Sequence, residues 1–261
     1  MEDSLFSVAG QVVLVPGASR GIGRALAEGF AARGAQVIIA GRDADSLDKT
    51  ASEISSGTNP VKPVVCDVAK PEDVAALVDS TLSAFGRIDT LVSVAGVNKR
   101  MKAEDYSAEE YDWIMDINLR GSFILAQAVG RHMIERKSGS IVNVDSLNTY
   151  APLTGVTPYA MSKAGVLMMT RALANEWGRH NVRVNSIAPG FFPTALSQKL
   201  WAQDKMRDWA EQNTPMGKLG EVKDLVGAAI FLASEAAAFI TGQTIRVDGG
   251  VTAGINWPID L

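Results

Sequence analysis

The stretch QVVLVPGASRGIG (residues 11–23) decides the fold. Its first five residues form a branched, apolar run that suits a strand covered on both faces. Gly17, Gly21 and Gly23 follow at once, and from Gly23 to Arg33 the chain is Ala-rich and ends at Gly34, placed as a C′ glycine. A strand that turns through glycines into a helix brings bare backbone close to a ligand. The unpaired N–H groups of the helix start then suit a phosphate. Ser19, Arg20 and Ile22 lie in the same loop.

Outward from this stretch the pattern repeats. Further β-rich runs are QVIIA (36–40), PVVC (63–66), TLVSV (90–94), SIVNV (140–144), VRVNSI (182–187) and TIRV (244–247). Helix-length segments separate them. Lys70-Pro71-Glu72-Asp73 opens one, with Pro near N1 and acids in the first turn. Ser107 and Glu110 have capping-box spacing ahead of Tyr111 to Arg131. Tyr159 to Trp177 and Glu221 to Ser234 give two more helices. The alternation predicts an α/β fold: a single-domain, Rossmann-like, doubly wound parallel sheet of about seven strands over residues 1–261, with helices on both faces. No linker rich in Pro, Gly or Ser divides the chain, and no repeat is present.

Residues 191–214 break the alternation. Leu196, Leu200, Trp201, Met206 and Trp209 are spaced for one or two short amphipathic helices. Ligands in such folds bind beyond the carboxyl ends of the strands. The segment therefore reads as a substrate lid, or else as a subunit contact or local core.

The bulk properties exclude several functions. A net charge of −4 and a pI near 5.3 argue against nucleic acid or an anionic membrane as partner. The single cysteine, Cys66, rules out an intramolecular disulfide framework and reads as a buried structural thiol. The opening MEDSLFSVAG lacks the basic and apolar regions of a signal peptide. No apolar stretch reaches the roughly 18 residues that span a bilayer. The expectation is a soluble, cytoplasmic protein.

The chemistry is carried by Ser146, by Tyr159 thirteen positions later in YAMSK, and by Lys163 four residues beyond Tyr159. On a helix, residues four apart share a face. A phenol has an ordinary pKa of about 10, and a cation about 4 Å away at an effective dielectric of about 20 supplies about 4 kcal/mol. That lowers the phenol by about three units, enough for a tyrosinate near pH 7 that moves a proton to or from a substrate oxygen. The alternative is a solvated pair on a helix surface.

The end of the second strand bears on which dinucleotide the glycine loop would take. An acid there would accept from a ribose 2′-hydroxyl. This chain has Ala40-Gly41-Arg42, and Arg42 with Arg20 suits a 2′-phosphate instead. NADP(H) is the expected cofactor, with NAD(H) left open by Asp43, which otherwise caps the next helix. Asp67, after the third strand, is a hydrogen-bond partner for adenine or a turn residue.

These elements together resemble the short-chain dehydrogenase/reductase family over about residues 8–250. The matching positions are the glycine loop 17–23, Asp67-Val68, Ala95-Gly96, Asn118, Ser146, Tyr159 with Lys163, and Pro189-Gly190. The resemblance implies that Tyr159 is the general acid–base. Lys163 lowers its pKa and binds the nicotinamide ribose, and Ser146 orients the substrate oxygen. It further implies that Asn118 holds a water linking Lys163 to solvent, unless it is only a helix-interior hydrogen bonder. Ile187, Pro189 and Thr194 match positions near the nicotinamide. Two departures stand out. Pro16 replaces the usual Thr, removing an N–H and a hydroxyl. Ser93-Val94-Ala95-Gly96 replaces NNAG, losing two Asn side chains. No metal is implied, and a homotetramer is, with Ile255 to Leu261 reaching a neighbouring subunit.

Within the family, DSLNTYAP (145–152), PGFFPT (189–194) and the WPI near the C-terminus look most like gluconate 5-dehydrogenase-type sugar-acid or polyol reductases. Asn98, Lys99, Arg100 and Asn148, together with Phe191, suit a hydroxylated, carboxylated substrate, although residues 98–100 also read as a solvated loop. The alternatives are a 3-oxoacyl-thioester reductase and a non-catalytic cofactor-sensing protein.

Overall fold

The computed structural model describes residues 4–55, 60–194 and 197–254. All seven apolar runs form strands: β1 (Val12–Pro16), β2 (Gln36–Gly41), β3 (Lys62–Val65), β4 (Thr90–Ser93), β5 (Gly139–Val144), β6 (Val182–Pro189) and β7 (Thr244–Val247). They make one parallel sheet in the order β3-β2-β1-β4-β5-β6-β7. The order reverses between β1 and β4, so a crevice opens at the carboxyl ends of those two strands.

The pleat explains why the strands are apolar throughout. Val13 and Val15 point to one face, against Leu26 and Phe30 of α1 (Gly21–Ala31), Leu47 of α2 (Ala44–Ile54), and α9 further along the chain (Val226–Ala233). Val12 and Leu14 point to the other. There they meet Leu77 of α3 (Pro71–Phe85), Leu125 and Val129 of α5 (Gly121–Arg136), and Val166 and Met169 of α6 (Thr157–Trp177). Each fully buried Leu or Phe contributes about 1.5–3 kcal/mol by leaving water.

Local signals largely form as the sequence reads. Pro71 opens α3 with Glu72 and Asp73 in its first turn, and Ser107 and Glu110 make both hydrogen bonds of a capping box. That box starts α4 (Ala108–Met115), which passes through a π turn (Asp116–Arg120) into α5, so the predicted single helix is interrupted. Gly34 has φ +80 but lies beyond the end of α1, which stops at Ala31. The predicted helix 221–234 begins with a 3-10 turn, Val222–Leu225, before α9. Residues 191–214 carry two short helices, α7 (Gln198–Trp201) and α8 (Asp204–Gln212). Leu196 falls outside the described residues, as do Ile255 to Leu261 and the WPI within them.

Pro16 is accommodated because it ends β1. Its carbonyl still accepts from Val94 N–H at 3.3 Å, and the next donor in the ladder, Gly17 N–H, reaches Ala40 O at 2.8 Å. Pro16 itself removes a single donor, at the end of its strand. Among the described residues, no helix is long and apolar enough to cross a membrane.

Candidate active site

A cleft of about 640 Å³ opens at the carboxyl ends of the strands. Its floor is the glycine loop. Gly17 has φ +84, and a Cβ there would lie 2.7 Å from the Cα of Ala95. A Cβ on Gly23 would lie 2.3 Å from the Gly17 carbonyl oxygen. Gly21, φ +59, has Thr194 leaning over it, 3.6 Å from where a Cβ would be. The loop thus closes back on itself and on the backbone just after β4, which no side chain permits. α1 then starts at Arg20 with no side-chain cap and no acid in its first turn, so its first N–H groups are free for an anion. This cradle fits the phosphates of a dinucleotide.

Ser19, Ile22, Asp67, Val68, Gly96, Pro189 and Gly190 also line the cleft. So do Arg20 and Arg42, both exposed, and neither is in an ion pair with a described residue. The neighbouring Asp43 does not face a ribose; its carboxylate caps α2, accepting from Ser46 N–H at 2.8 Å. Asp67 is a turn residue that lines the cleft as well, with Oδ1 accepting from Ala69 N–H at 3.1 Å. Cys66 is buried, and burial pushes its thiol up to about 12, as an inert structural residue requires.

Ser146 and Asn148 follow β5, and Tyr159 and Lys163 lie on the first turns of α6; all four line the cleft. Ser146 Oγ accepts from Asn148 N–H at 3.1 Å and from Asn148 Nδ2 at 3.2 Å, and its hydroxyl lies near enough to the Tyr159 phenol to lower the phenol's pKa. With two donors on its oxygen, the serine is left with its single proton to donate. Asn148 Oδ1 accepts from Leu153 N–H at 2.9 Å, so its amide is engaged within the protein and holds Ser146. Lys163 Nζ, buried, donates to the Val144 carbonyl at 2.7 Å and lies 5.8 Å from the Tyr159 ring centroid.

The expected downward shift of the phenol is not found. Burial raises the phenol's pKa, Asp145 raises it further, and the nearby Ser146 hydroxyl and the charge of Arg100 offset only part of this. Lys163 is bound to Val144 rather than to the phenol, and burial lowers its own ammonium to about 8. The phenol therefore carries its proton at neutral pH and is set up as an acid.

Asn118 stands behind the cleft wall, fully buried in the π turn. Its Oδ1 accepts from Val97 N–H at 2.7 Å, and its Nδ2 donates to Val97 O at 2.9 Å and Ser162 Oγ at 3.0 Å. A Cβ on Gly96 would lie 3.4 Å from Asn118 Oδ1 and 3.6 Å from Lys163 Nζ, so the glycine keeps open the space where these two meet. Ile187 is likewise fully buried, in the core. On the substrate side, Lys99 pairs with Glu110 and turns away from the cleft, whereas Arg100 and Asn98 line it. Phe191 is buried edge-on to Trp201 and Trp209, with ring centroids 5.5 and 5.6 Å away.

Two groups escaped the sequence reading. Asp145 lies in the cleft wall beside Ser146, and the Val144 carbonyl anchors Lys163. Asp145 is legible only as a charged residue directly after an apolar strand; a backbone carbonyl leaves no mark in sequence.

A family model described as enoyl-(acyl carrier protein) reductase matches residues 17–252. The chain is 40% identical over 251 residues to gluconate 5-dehydrogenase of Gluconobacter oxydans (strain 621H), covering 96% of this chain and 98% of that protein. It is 34% identical to 5-keto-D-gluconate 5-reductase of Escherichia coli (strain K12), covering 97% and 100%. Among solved structures, it resembles a gluconate 5-dehydrogenase from Burkholderia cenocepacia J2315 in complex with NADP and tartrate. The TM-score is 0.93 at 37% identity, covering 97% of this chain and 99% of that one.

Proposed function

Because the chain belongs to the short-chain dehydrogenase/reductase family and is an oxidoreductase acting on CH–OH groups, we propose that it interconverts a sugar acid or polyol and the matching ketone with NADP(H). The observation that carries this reading is the convergence of Ser146, Tyr159 and Lys163 in one glycine-floored cleft. When bound, the nicotinamide supplies and accepts the hydride. The chain's own residues supply the rest. The glycine loop and α1 would hold the phosphates, Arg20 and Arg42 the 2′-phosphate, and Lys163 the nicotinamide ribose.

Ser146, its oxygen occupied by Asn148, donates to the substrate oxygen, and the phenol of Tyr159 gives that oxygen its proton. Proton return runs through Lys163 toward Asn118. For the substrate, Arg100 is the cation available to a carboxylate, and Asn98 Oδ1, buried without a partner, awaits a hydroxyl. Asn148 acts through Ser146. Phe191 and the segment 191–214 close over the cleft as a lid on what is otherwise one domain. The proposed assembly is a cytoplasmic homotetramer. Exposed Trp113, Phe123, Met161 and Met168 on α4, α5 and α6 support subunit contact.

The test is NADPH oxidation with 5-keto-D-gluconate, a panel of keto-polyols and acetoacetyl-CoA. Wild-type enzyme turns over the keto acid, whereas Tyr159→Phe loses about 10³-fold or more in kcat while still binding NADPH. Preference for the thioester would move the assignment to acyl reduction, and near-wild-type activity of Tyr159→Phe would remove the proton step.

A further inference from the structure

Asp145 sits between the end of β5 and Ser146, 2% exposed, and its carboxyl lines the cleft. Its N–H donates to the Ile187 carbonyl at 2.9 Å, which fixes it to β6. Oδ1 accepts from the Ser146 N–H and from Thr149 Oγ1, at 3.2 Å for the latter, so one oxygen ties both ends of the turn Leu147–Thr149 that carries Asn148. Oδ2 is buried and has no hydrogen-bond partner. The charged and titratable groups facing it come from α6: Lys163 interacts with it electrostatically, and so does the Tyr159 phenol. The loop after β4 contributes Arg100, which faces the phenol, and β6 contributes the uncharged Ser186 hydroxyl.

We propose that Asp145 is a positioning residue that holds the Ser146 turn and whose charge keeps the protons on Tyr159 and Lys163, so that it sets the pH window of the site. This rests on the oxidoreductase reading above. A carboxylate near a phenol disfavours the phenolate, and near an amine it favours the ammonium. Burial, the largest influence on Asp145 itself, pushes its carboxyl up to about 6, so the charge switches within the working range. Above that pH the ionised Asp145 makes the phenol a more persistent proton carrier, which favours ketone reduction. Below it, this bias is lost.

Three measurements test the idea. In wild-type protein labelled with 13C-tyrosine, the Cζ resonance missing from Tyr159→Phe should show a second, smaller inflection near pH 6, before the phenol itself titrates. A curve with a single inflection overturns the proposal without any change to Asp145. Asp145→Asn keeps the acceptor for Ser146 and removes the charge. It should lower the Tyr159 midpoint, read as the tyrosinate difference absorbance against Asp145→Asn with Tyr159→Phe, by about one pH unit. The pH profile of ketone reduction should move down by a similar amount. Unchanged midpoint and profile in a folded Asp145→Asn overturn the proposal. If wild-type enzyme reduces no ketone, the functional reading fails, while the two spectroscopic titrations still decide the role of Asp145.

Discussion

The backbone and side-chain N–H groups of Asn148 both donate to the hydroxyl oxygen of Ser146, at 3.1 and 3.2 Å. A hydroxyl has one proton and two lone pairs, so this leaves Ser146 a donor with a fixed aim. Removing a donor directed at a developing oxyanion costs about 10²–10³ in kcat, and Ser146→Ala should fall in that range. Asn148→Ala removes only one of the two N–H groups and frees the serine to rotate. It should lower kcat about tenfold with little change in KM, because the loss is of orientation and not of binding. Steady-state kinetics on both variants check this; a raised KM with unchanged kcat would make Asn148 a substrate contact.

Arg20 and Arg42 line the cleft beside the glycine loop without ion-pair partners among the described residues, and Asp43 is occupied at the start of α2. Each guanidinium is exposed, so a bond from it to a 2′-phosphate would be worth about 1 kcal/mol, or roughly a fivefold change in affinity. Arg42→Ala should weaken NADPH by about that factor and leave NADH unchanged, with Arg20→Ala adding a similar step. Fluorescence titration of both cofactors measures the ratio. Equal loss for NADH and NADPH would assign the arginines to the shared phosphates.

The sequence made the sheet legible because a strand buried on both faces must be apolar at every position, as Val12 to Val15 are. The Ser146, Tyr159 and Lys163 spacing was legible too, since one helix and one strand end carry all three. The proton affinity of Tyr159 was not. It depends on how deeply the ring is buried, on Asp145 from another element, and on Lys163 choosing the Val144 carbonyl. Spacing gives the face a side chain shares, but not the dielectric around it or the partner it selects. The π turn was hidden for a related reason: one extra residue in a helix alters no apolar period strongly enough to be seen.

Gly17 combines a left-handed backbone with contact against the chain just after β4. Its φ is +84, and an added Cβ would come within 2.7 Å of the Ala95 backbone. The conformation alone costs a non-glycine residue about 1–2 kcal/mol, before any clash. Gly17→Ala should therefore lower stability by about 2 kcal/mol or more and sharply weaken cofactor binding. Gly178→Ala is the control, because a Cβ there meets nothing within 4 Å and φ is −55. It should be neutral or stabilise by about 0.5–1 kcal/mol. Urea unfolding of the two variants separates the cases, and equal stabilities would mean that the glycine loop yields easily.

Asp89, just before β4, joins three parts of the chain. Its Oδ2 accepts from Val12 N–H and Arg87 Nε, each at 2.8 Å, and its Oδ1 accepts from Arg136 Nη2 at 2.7 Å. Burial alone would raise its pKa, but these donors and the Arg87 charge outweigh burial and hold it below its ordinary value. A carboxyl depressed on folding contributes stability at pH above its unfolded pKa of about 3.9, and that contribution is lost as pH falls through the folded value. Hydrogen bonds to a charged group are worth about 1.5–3 kcal/mol. Asp89→Asn should thus cost about 2 kcal/mol at pH 7, and the gap between variant and wild type should narrow as acid protonates the native carboxylate. Urea unfolding at pH 7 and pH 3 measures both gaps. If the variant loses as much at pH 3 as at pH 7, the stabilisation comes from packing around Asp89 and not from its charge.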